Sequence, residues 1–434
     1  MKSILLIVAI VISVGLRAQN YTSYFTGSEV DIVTNPIGGT CLMGGATESD
    51  DAMKWFLERC DGGDVLVLRA SGSDGYNDYF FSELGIQVNS VETIVCNSPF
   101  AETEEYIQDK VSKAEAIWFA GGDQWNYVSY WRNGPLETLI NQAISERNIV
   151  IGGTSAGMAI LGGYYFNAVN GTTTSATALA NPFANTVTPD AEPFLNVPLL
   201  FDVITDTHFD SPDRRGRMVA FLARIYTDEN VYAKGIACDE YTAVCVDENG
   251  LAKVYGGYPA EDDIAYFIQV NCANDPMAPE TCVAGQSLNW NLNGEALKVY
   301  RVKGTTTGSY SFDLSDWQTG NGGEWLHWSV QDGVFIETPG TAIECSNVGI
   351  EETSLSDFSI SIFPNPNDSG VLHINSNQAI DFLEIRNAVG QIVYVMNKEN
   401  TAEFKNLELK LASGIYTLSV DSNGVVQTKK FIVQ

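Results

Sequence analysis

The chain has 434 residues, 45% of them hydrophobic, which is enough for two or three domains with a sizeable core and excludes a wholly disordered protein. Its 24 basic and 54 acidic residues give a formal charge of −30, which argues against nucleic acid or an anionic membrane as a partner. At its start, Lys2 precedes the apolar run Ile4 to Val14 and then Gly15-Leu16-Arg17-Ala18. This is the layout of a secretory signal over residues 1–18, cleaved after Ala18, and the run is too short to span a bilayer. No later segment is a candidate span.

From about Asp31 to Val254, buried strand-like runs alternate with amphipathic helical stretches. Strands are expected at residues 40–43, 64–69, 92–96, 116–119, 148–152, 203–207 and 235–238. Helices are expected at 50–59, 77–84, 103–113, 136–146 and 213–226. The alternation predicts an α/β fold, a mainly parallel sheet with helices on both faces. In such sheets ligands sit at the carboxyl ends of the strands. Gly44-Gly45, Ala70-Ser71-Gly72, Gly121-Gly122-Asp123-Gln124, Ser155 and Asp206-Thr207-His208 all fall at such ends.

The sharpest motif is Gly153-Thr154-Ser155-Ala156-Gly157, between the apolar runs Ile149-Val150-Ile151 and Met158-Ala159-Ile160-Leu161. A buried strand that breaks at one serine between glycines and resumes as a helix describes a nucleophile elbow. Such a serine needs a base, and the chain offers three histidines, His208, His327 and His373. His208 alone ends a strand on the rim that carries Ser155, so elimination selects it. A carboxylate should orient the imidazole from its far side. Glu240, after the next strand, is favoured, and Asp206 is assigned to a substrate or structural contact. The backbone of Gly121-Gly122 can approach a ligand closely, and Gln124 can donate to and accept from an amide. Asp123-Gln124 could equally be a tight strand-to-helix turn. Arg215 and Arg217 could clamp a carboxylate or be solvated at an exposed helix start.

In order along the chain, Gly44-Gly45-Ala46, Ala120 to Gln124, Gly153 to Gly157, Asp206 to Phe209 with Arg215-Gly216-Arg217, and Asp239 to Ala243 resemble the motifs of the cyanophycinase and peptidase E family of serine peptidases. The resemblance implies a class I glutamine amidotransferase-like fold and no metal or organic cofactor. It implies Ser155 as nucleophile, His208 as base and Glu240 as acid, with Gly122 and Ala156 as backbone oxyanion donors. Gln124, Asp206 and Arg217 correspond to substrate-side positions of that family, and Asp123 and Arg215, beside them in the chain, are expected on the substrate side as well. The expected substrate is a peptide or cyanophycin-like polymer cut at aspartyl amide linkages, and a homodimer is left open. The chain departs from cyanophycinase at Thr207, where that family has glutamine, in an insertion over residues 209–214, and at Ala220 in place of a further arginine. These departures motivate the alternative of an exported polymer-binding or surface protein on a weakened peptidase scaffold. An α/β-hydrolase esterase fits less well, because that fold places its histidine after the acid.

Residues 261–345 are rich in Trp, Tyr and Gly, with one clear strand at 296–302, and read as the end of a catalytic domain (residues 19–345) plus an irregular extension. Core packing is favoured over a carbohydrate-facing role for its tryptophans. Eight cysteines are present. Cys272 and Cys282 bracket a polar loop and are expected to bridge, whereas Cys41, Cys60 and Cys96 adjoin apolar runs and are expected to be free. A polar linker, 346–357, leads to residues 358–434, where seven short strands separated by turn residues predict a small all-β sandwich. Phe363-Pro364-Asn365-Pro366, Asn387 to Gln391, Ser413 to Tyr416 and Lys429-Lys430-Phe431 resemble the C-terminal sorting domain of the type IX secretion system. That resemblance implies engagement of the type IX machinery and a secreted or cell-surface protein.

Overall fold

In a strand, alternate side chains point to opposite faces, so a strand buried on both sides must be apolar throughout. The computed structural model of the chain describes residues 20–343 and most of 360–433, so the expected signal segment and linker lie outside the described residues. The chain divides into two compact units, Met1–Cys345 and Ser346–Gln434.

The first half of the larger unit contains β1 (Tyr21–Gly27), β2 (Gly39–Met43), α1 (Asp50–Glu58), β3 (Asp64–Arg69), β4 (Ser90–Cys96), α2 (Glu105–Lys113), β5 (Ala116–Phe119), α3 (Gln124–Trp131), α4 (Pro135–Arg147), β6 (Val150–Thr154) and α5 (Ala156–Ala159). It continues with β7 (Tyr165–Phe166), α6 (Ser175–Ala180), β8 (Pro189–Asp190), β9 (Val203–Asp206), α7 (Arg215–Glu229), β10 (Lys234–Cys238), β11 (Ala243–Asp247), β12 (Leu251–Tyr258) and β13 (Ile264–Val270). The last strands are β14 (Leu297–Lys303), β15 (Tyr310–Asp313), β16 (Gly320–Asn321), β17 (Glu324–Gln331) and β18 (Val334–Pro339).

A ten-stranded sheet runs β1-β4-β3-β5-β6-β2-β11-β12-β15-β16. Its centre, β4-β3-β5-β6-β2, is parallel throughout, as the alternating pattern predicts, and antiparallel strands extend both edges. Helices cover both faces of that centre. Leu66, Leu68, Ile117 and Phe119 share a core with Ile107 of α2 and Ile140 of α4. Val65, Val67 and Trp118 share another with Met53, Phe56 and Leu57 of α1.

The structure corrects the reading of the later segments. Strands β9 and β10 do not extend the parallel sheet. They pair with each other and lead a second, mostly antiparallel sheet in the order β18-β17-β14-β13-β10-β9. The stretch read as irregular supplies its remaining strands, because aromatic residues suit a half-buried pleated surface as well as β-branched ones do. Trp290, Trp317 and Trp328 are buried, in keeping with core packing. The Cys272–Cys282 bridge is also overturned: Cys282 is a free thiol and Cys272 is disulfide-bonded elsewhere. Cys41, Cys60 and Cys96 are free and buried. Two further elements carry weak sequence signals, the edge strand β1 and α3, and the expected helix at 77–84 is helical over residues 77–83, with a π-helical turn at Tyr79–Glu83.

Among its described residues the smaller unit has seven strands, in sheets of three and four, around a core that includes Leu372, Leu383, Leu418 and Phe431. Among the described residues no helix is long and apolar enough to cross a membrane.

Candidate active site

β6 delivers Ser155 at its carboxyl end in a conformation (φ 52°, ψ −117°) that non-glycine residues rarely adopt. The flanking glycines make this bend feasible. A Cβ on Gly153 would sit 2.5 Å from the Gly157 carbonyl carbon, and one on Gly157 would sit 2.0 Å from the Phe119 carbonyl oxygen. The elbow is therefore packed backbone against backbone, and the Ser155 N–H is anchored to the Met43 carbonyl at 3.1 Å.

His208 follows β9 and Glu240 follows β10, strands of the second sheet, so the site forms where the two sheets meet. Ser155 Oγ lies 2.8 Å from His208 Nε2, and His208 Nδ1 lies 2.7 Å from Glu240 Oε1. The Gly44-Gly45 turn after β2 braces this arrangement. The Gly44 carbonyl accepts from His208 N–H (2.8 Å), and the Gly45 carbonyl accepts from Tyr241 N–H (3.0 Å). Gly45 has φ +125°, and a Cβ there would lie 2.4 Å from His208 Cε1. The ring is thus held between a serine, a carboxylate and a glycine face. Such a relay can move a proton from the hydroxyl to the imidazole while the carboxylate stabilises the resulting cation.

A cavity of about 430 Å³ opens beside Ser155. Gly122, Asp123, Gln124, Ala156, Asp206, His208 and Arg217 all line it. Several of these groups already have protein partners. Asp123 caps α3 by accepting from Trp125 N–H at 3.0 Å, the strand-to-helix role that the sequence left open. Gln124 Nε2 donates to the Phe166 carbonyl at 3.2 Å. Asp206 and Arg217 form a buried bidentate ion pair, and Arg217 Nη1 also donates to Thr173 O. This pair builds the cavity floor, and removing one partner would strand a buried charge.

The structure does not bring Arg215 to the cavity. Its guanidinium binds Asp213 (2.8 Å) and Glu337 (3.2 Å). Its neighbour Arg214 lines the cavity instead, a placement that sequence reasoning missed. Asp239, beside Glu240, is buried, and its Oδ1 has no hydrogen-bond partner. Burial, reinforced by the Asp210 and Asp263 carboxylates, pushes its pKa up to about 8. Among the described residues no group of three or more His, Cys, Asp or Glu side chains could hold a metal ion.

Comparison with known proteins follows the same division of the chain. Residues 75–254 match peptidase family S51, and residues 361–434 match the secretion system C-terminal sorting domain. The chain is 26% identical over 181 residues to a cyanophycinase of Synechococcus elongatus, covering 42% of this chain and 50% of that protein. It is 24% identical over 176 residues to a cyanophycinase of Geminocystis herdmanii, covering 41% and 58%. The chain thus spans about half the length of these relatives. The crystal structure of a peptidase from an acI-B1 actinobacterium aligns with a TM-score of 0.39 at 16% identity, covering 51% of this chain and 89% of that one.

Proposed function

We propose that the chain is an exported serine peptidase cleaving aspartyl amide linkages, a reading supported by the match of residues 75–254 to peptidase family S51 and of residues 361–434 to the secretion system C-terminal sorting domain. The observation that carries the reading is the continuous relay from Ser155 through His208 to Glu240. Ser155 Oγ attacks the scissile carbonyl as His208 Nε2 takes its proton. Glu240 holds the Nδ1 proton and stabilises the imidazolium. The N–H groups of Gly122 and Ala156, residues that both line the cavity, receive the oxyanion. His208 then protonates the leaving amine, giving an acyl-enzyme ester on Ser155. Water, deprotonated by the same imidazole, releases the carboxylate and restores the hydroxyl.

The substrate is an α- or β-linked aspartyl peptide or a cyanophycin-like polymer. Export proceeds through a signal segment at residues 1–18 and the type IX machinery. A binder on a disabled scaffold would have no use for an uninterrupted relay, and of the tryptophans in residues 261–345 Trp290, Trp317 and Trp328 are buried while Trp325 packs partly buried against the core. The test is to incubate the mature protein with cyanophycin, β-aspartyl dipeptides and aspartyl-initial peptides and identify products by mass spectrometry. Cleavage of at least one class, abolished in a folded Ser155→Ala variant, supports the assignment. Cleavage retained in that variant contradicts it.

A further inference from the structure

Strands β2 and β11 lie side by side in the middle of the large sheet, and each carries one cysteine. They pair antiparallel with Cys41 directly opposite Cys245, a residue 204 positions away in sequence. One residue beyond the end of β2, the Gly44 N–H donates to the Thr242 carbonyl, the bond of a hydrogen-bonded pair. Opposed pairs alternate along an antiparallel ladder, so Cys41 and Cys245, three positions further on, form a non-hydrogen-bonded pair. At such a pair the Cα atoms approach to about 4.5 Å and the side chains stand closest, within the span of a disulfide. The Cys245 thiol donates to Cys41 Sγ at 3.7 Å. Nearby thiols face backbone instead: Cys60 Sγ meets the Asp64 carbonyl at 3.8 Å, and Cys238 Sγ meets the Leu42 carbonyl at 3.7 Å.

We propose that Cys41 and Cys245 close into a cross-strand disulfide as the chain folds in an oxidising compartment, stapling β2 to β11. The inference rests on the export reading for the compartment, and on the strand register for the pairing. Both residues are buried in one core with Met53 and Phe56 of α1. Burial, with the adjacent Cys41 sulfur, holds the Cys245 thiol well above its ordinary pKa. Once folded, the pair is shielded from oxidants and poor in thiolate, so closure belongs to folding, before α1 covers it. The oxidant is a disulfide, of a protein or of glutathione. One cysteine thiolate attacks it, releasing one thiol and leaving a mixed disulfide, and the second thiolate displaces the other thiol as the Sγ–Sγ bond forms. Two electrons and two protons pass from the cysteines to the oxidant. The staple acts next to the catalytic groups. β2 runs into Gly44-Gly45, whose carbonyls hold the His208 and Tyr241 N–H groups, and β11 begins just after the turn that carries Glu240.

The experiment refolds the full mature chain from denaturant in a glutathione–glutathione disulfide buffer. Free thiols are then alkylated in denaturant without reductant, and the peptides are mapped by mass spectrometry. Most molecules should yield two peptides joined through Cys41 and Cys245, with Cys60, Cys96 and Cys238 alkylated. Alkylation of Cys41 and Cys245 in most molecules would overturn the proposal, as would a bridge from either to another cysteine. A double variant, Cys41→Ala with Cys245→Ala, keeps the separate bridge of Cys272 and supplies the readout of stability. Oxidation should raise the melting temperature of wild type by about 3–8 °C more than it raises that of the double variant. Equal shifts in the two proteins would also overturn the proposal. Refolding in vitro bypasses the cell, so a missing bridge there is distinct from a failure of export, which shows as chain retained in cells that carry the intact gene. A bridge formed in vitro by a chain so retained keeps the pairing and removes the export reading.

Discussion

Replacing Glu240 with glutamine keeps the size of the side chain and removes its charge, so it isolates what the carboxylate does for His208. The two groups meet at 2.7 Å, and their side chains are 25% and 27% exposed. Opposite charges ~4 Å apart gain about 1 kcal/mol in water and about 4 kcal/mol at an effective dielectric near 20. A pair about one-quarter exposed falls between, roughly 2–3 kcal/mol once the imidazolium has formed. At about 1.4 kcal/mol per tenfold, Glu240→Gln should lower kcat roughly 30- to 140-fold. Because the imidazolium exists only as the reaction proceeds, kcat and kcat/KM should fall together with KM nearly constant. Steady-state hydrolysis of whichever aspartyl substrate the product screen identifies reads this directly, with circular dichroism confirming the fold. A variant whose kcat stays within threefold of wild type, or whose loss lies wholly in KM, would refute this role for Glu240.

Gly45→Ala should cut activity at least ~100-fold in a protein that still folds, since its Cβ would enter the space of the His208 ring and the backbone there has φ +125°. Activity within a few-fold of wild type would mean that the ring does not need this brace. Asp239 makes stability depend on pH with a definite sign. Its folded pKa, about 8, lies above the ordinary 3.8, so the folded state holds a proton that the unfolded state releases between those values. The contribution is fully present below about pH 4 and is lost as pH rises to about 8. Asp239→Asn should therefore gain thermal stability relative to wild type on going from pH 5 to pH 8.5. Parallel melting curves for the two proteins across that range would contradict the assignment.

What was legible in the sequence was governed by local sterics or by scarcity. Gly153 and Gly157 advertise the elbow because any side chain there meets backbone within 2.5 Å. His208 could be chosen because only three histidines exist, and Glu240 because it follows the next strand. What failed depended on partners distant in sequence. Whether Arg214 or Arg215 faces the cavity is decided partly by Glu337, 122 residues beyond Arg215. The second sheet escaped notice because apolar strands do not announce which sheet they join, and β10 finds β13 only after an excursion through β11 and β12. The Cys272–Cys282 pairing was inferred from loop proximity, which does not determine connectivity.

The most direct measurement is covalent capture of the serine. The full mature chain is treated with a fluorophosphonate and the modified residue is located by peptide mass spectrometry. A serine activated by His208 should give a single stoichiometric adduct on Ser155, absent in Ser155→Ala and formed at least ~100-fold more slowly in His208→Ala. A folded wild-type protein that leaves Ser155 unmodified, or that reacts at the same rate without His208, would contradict it.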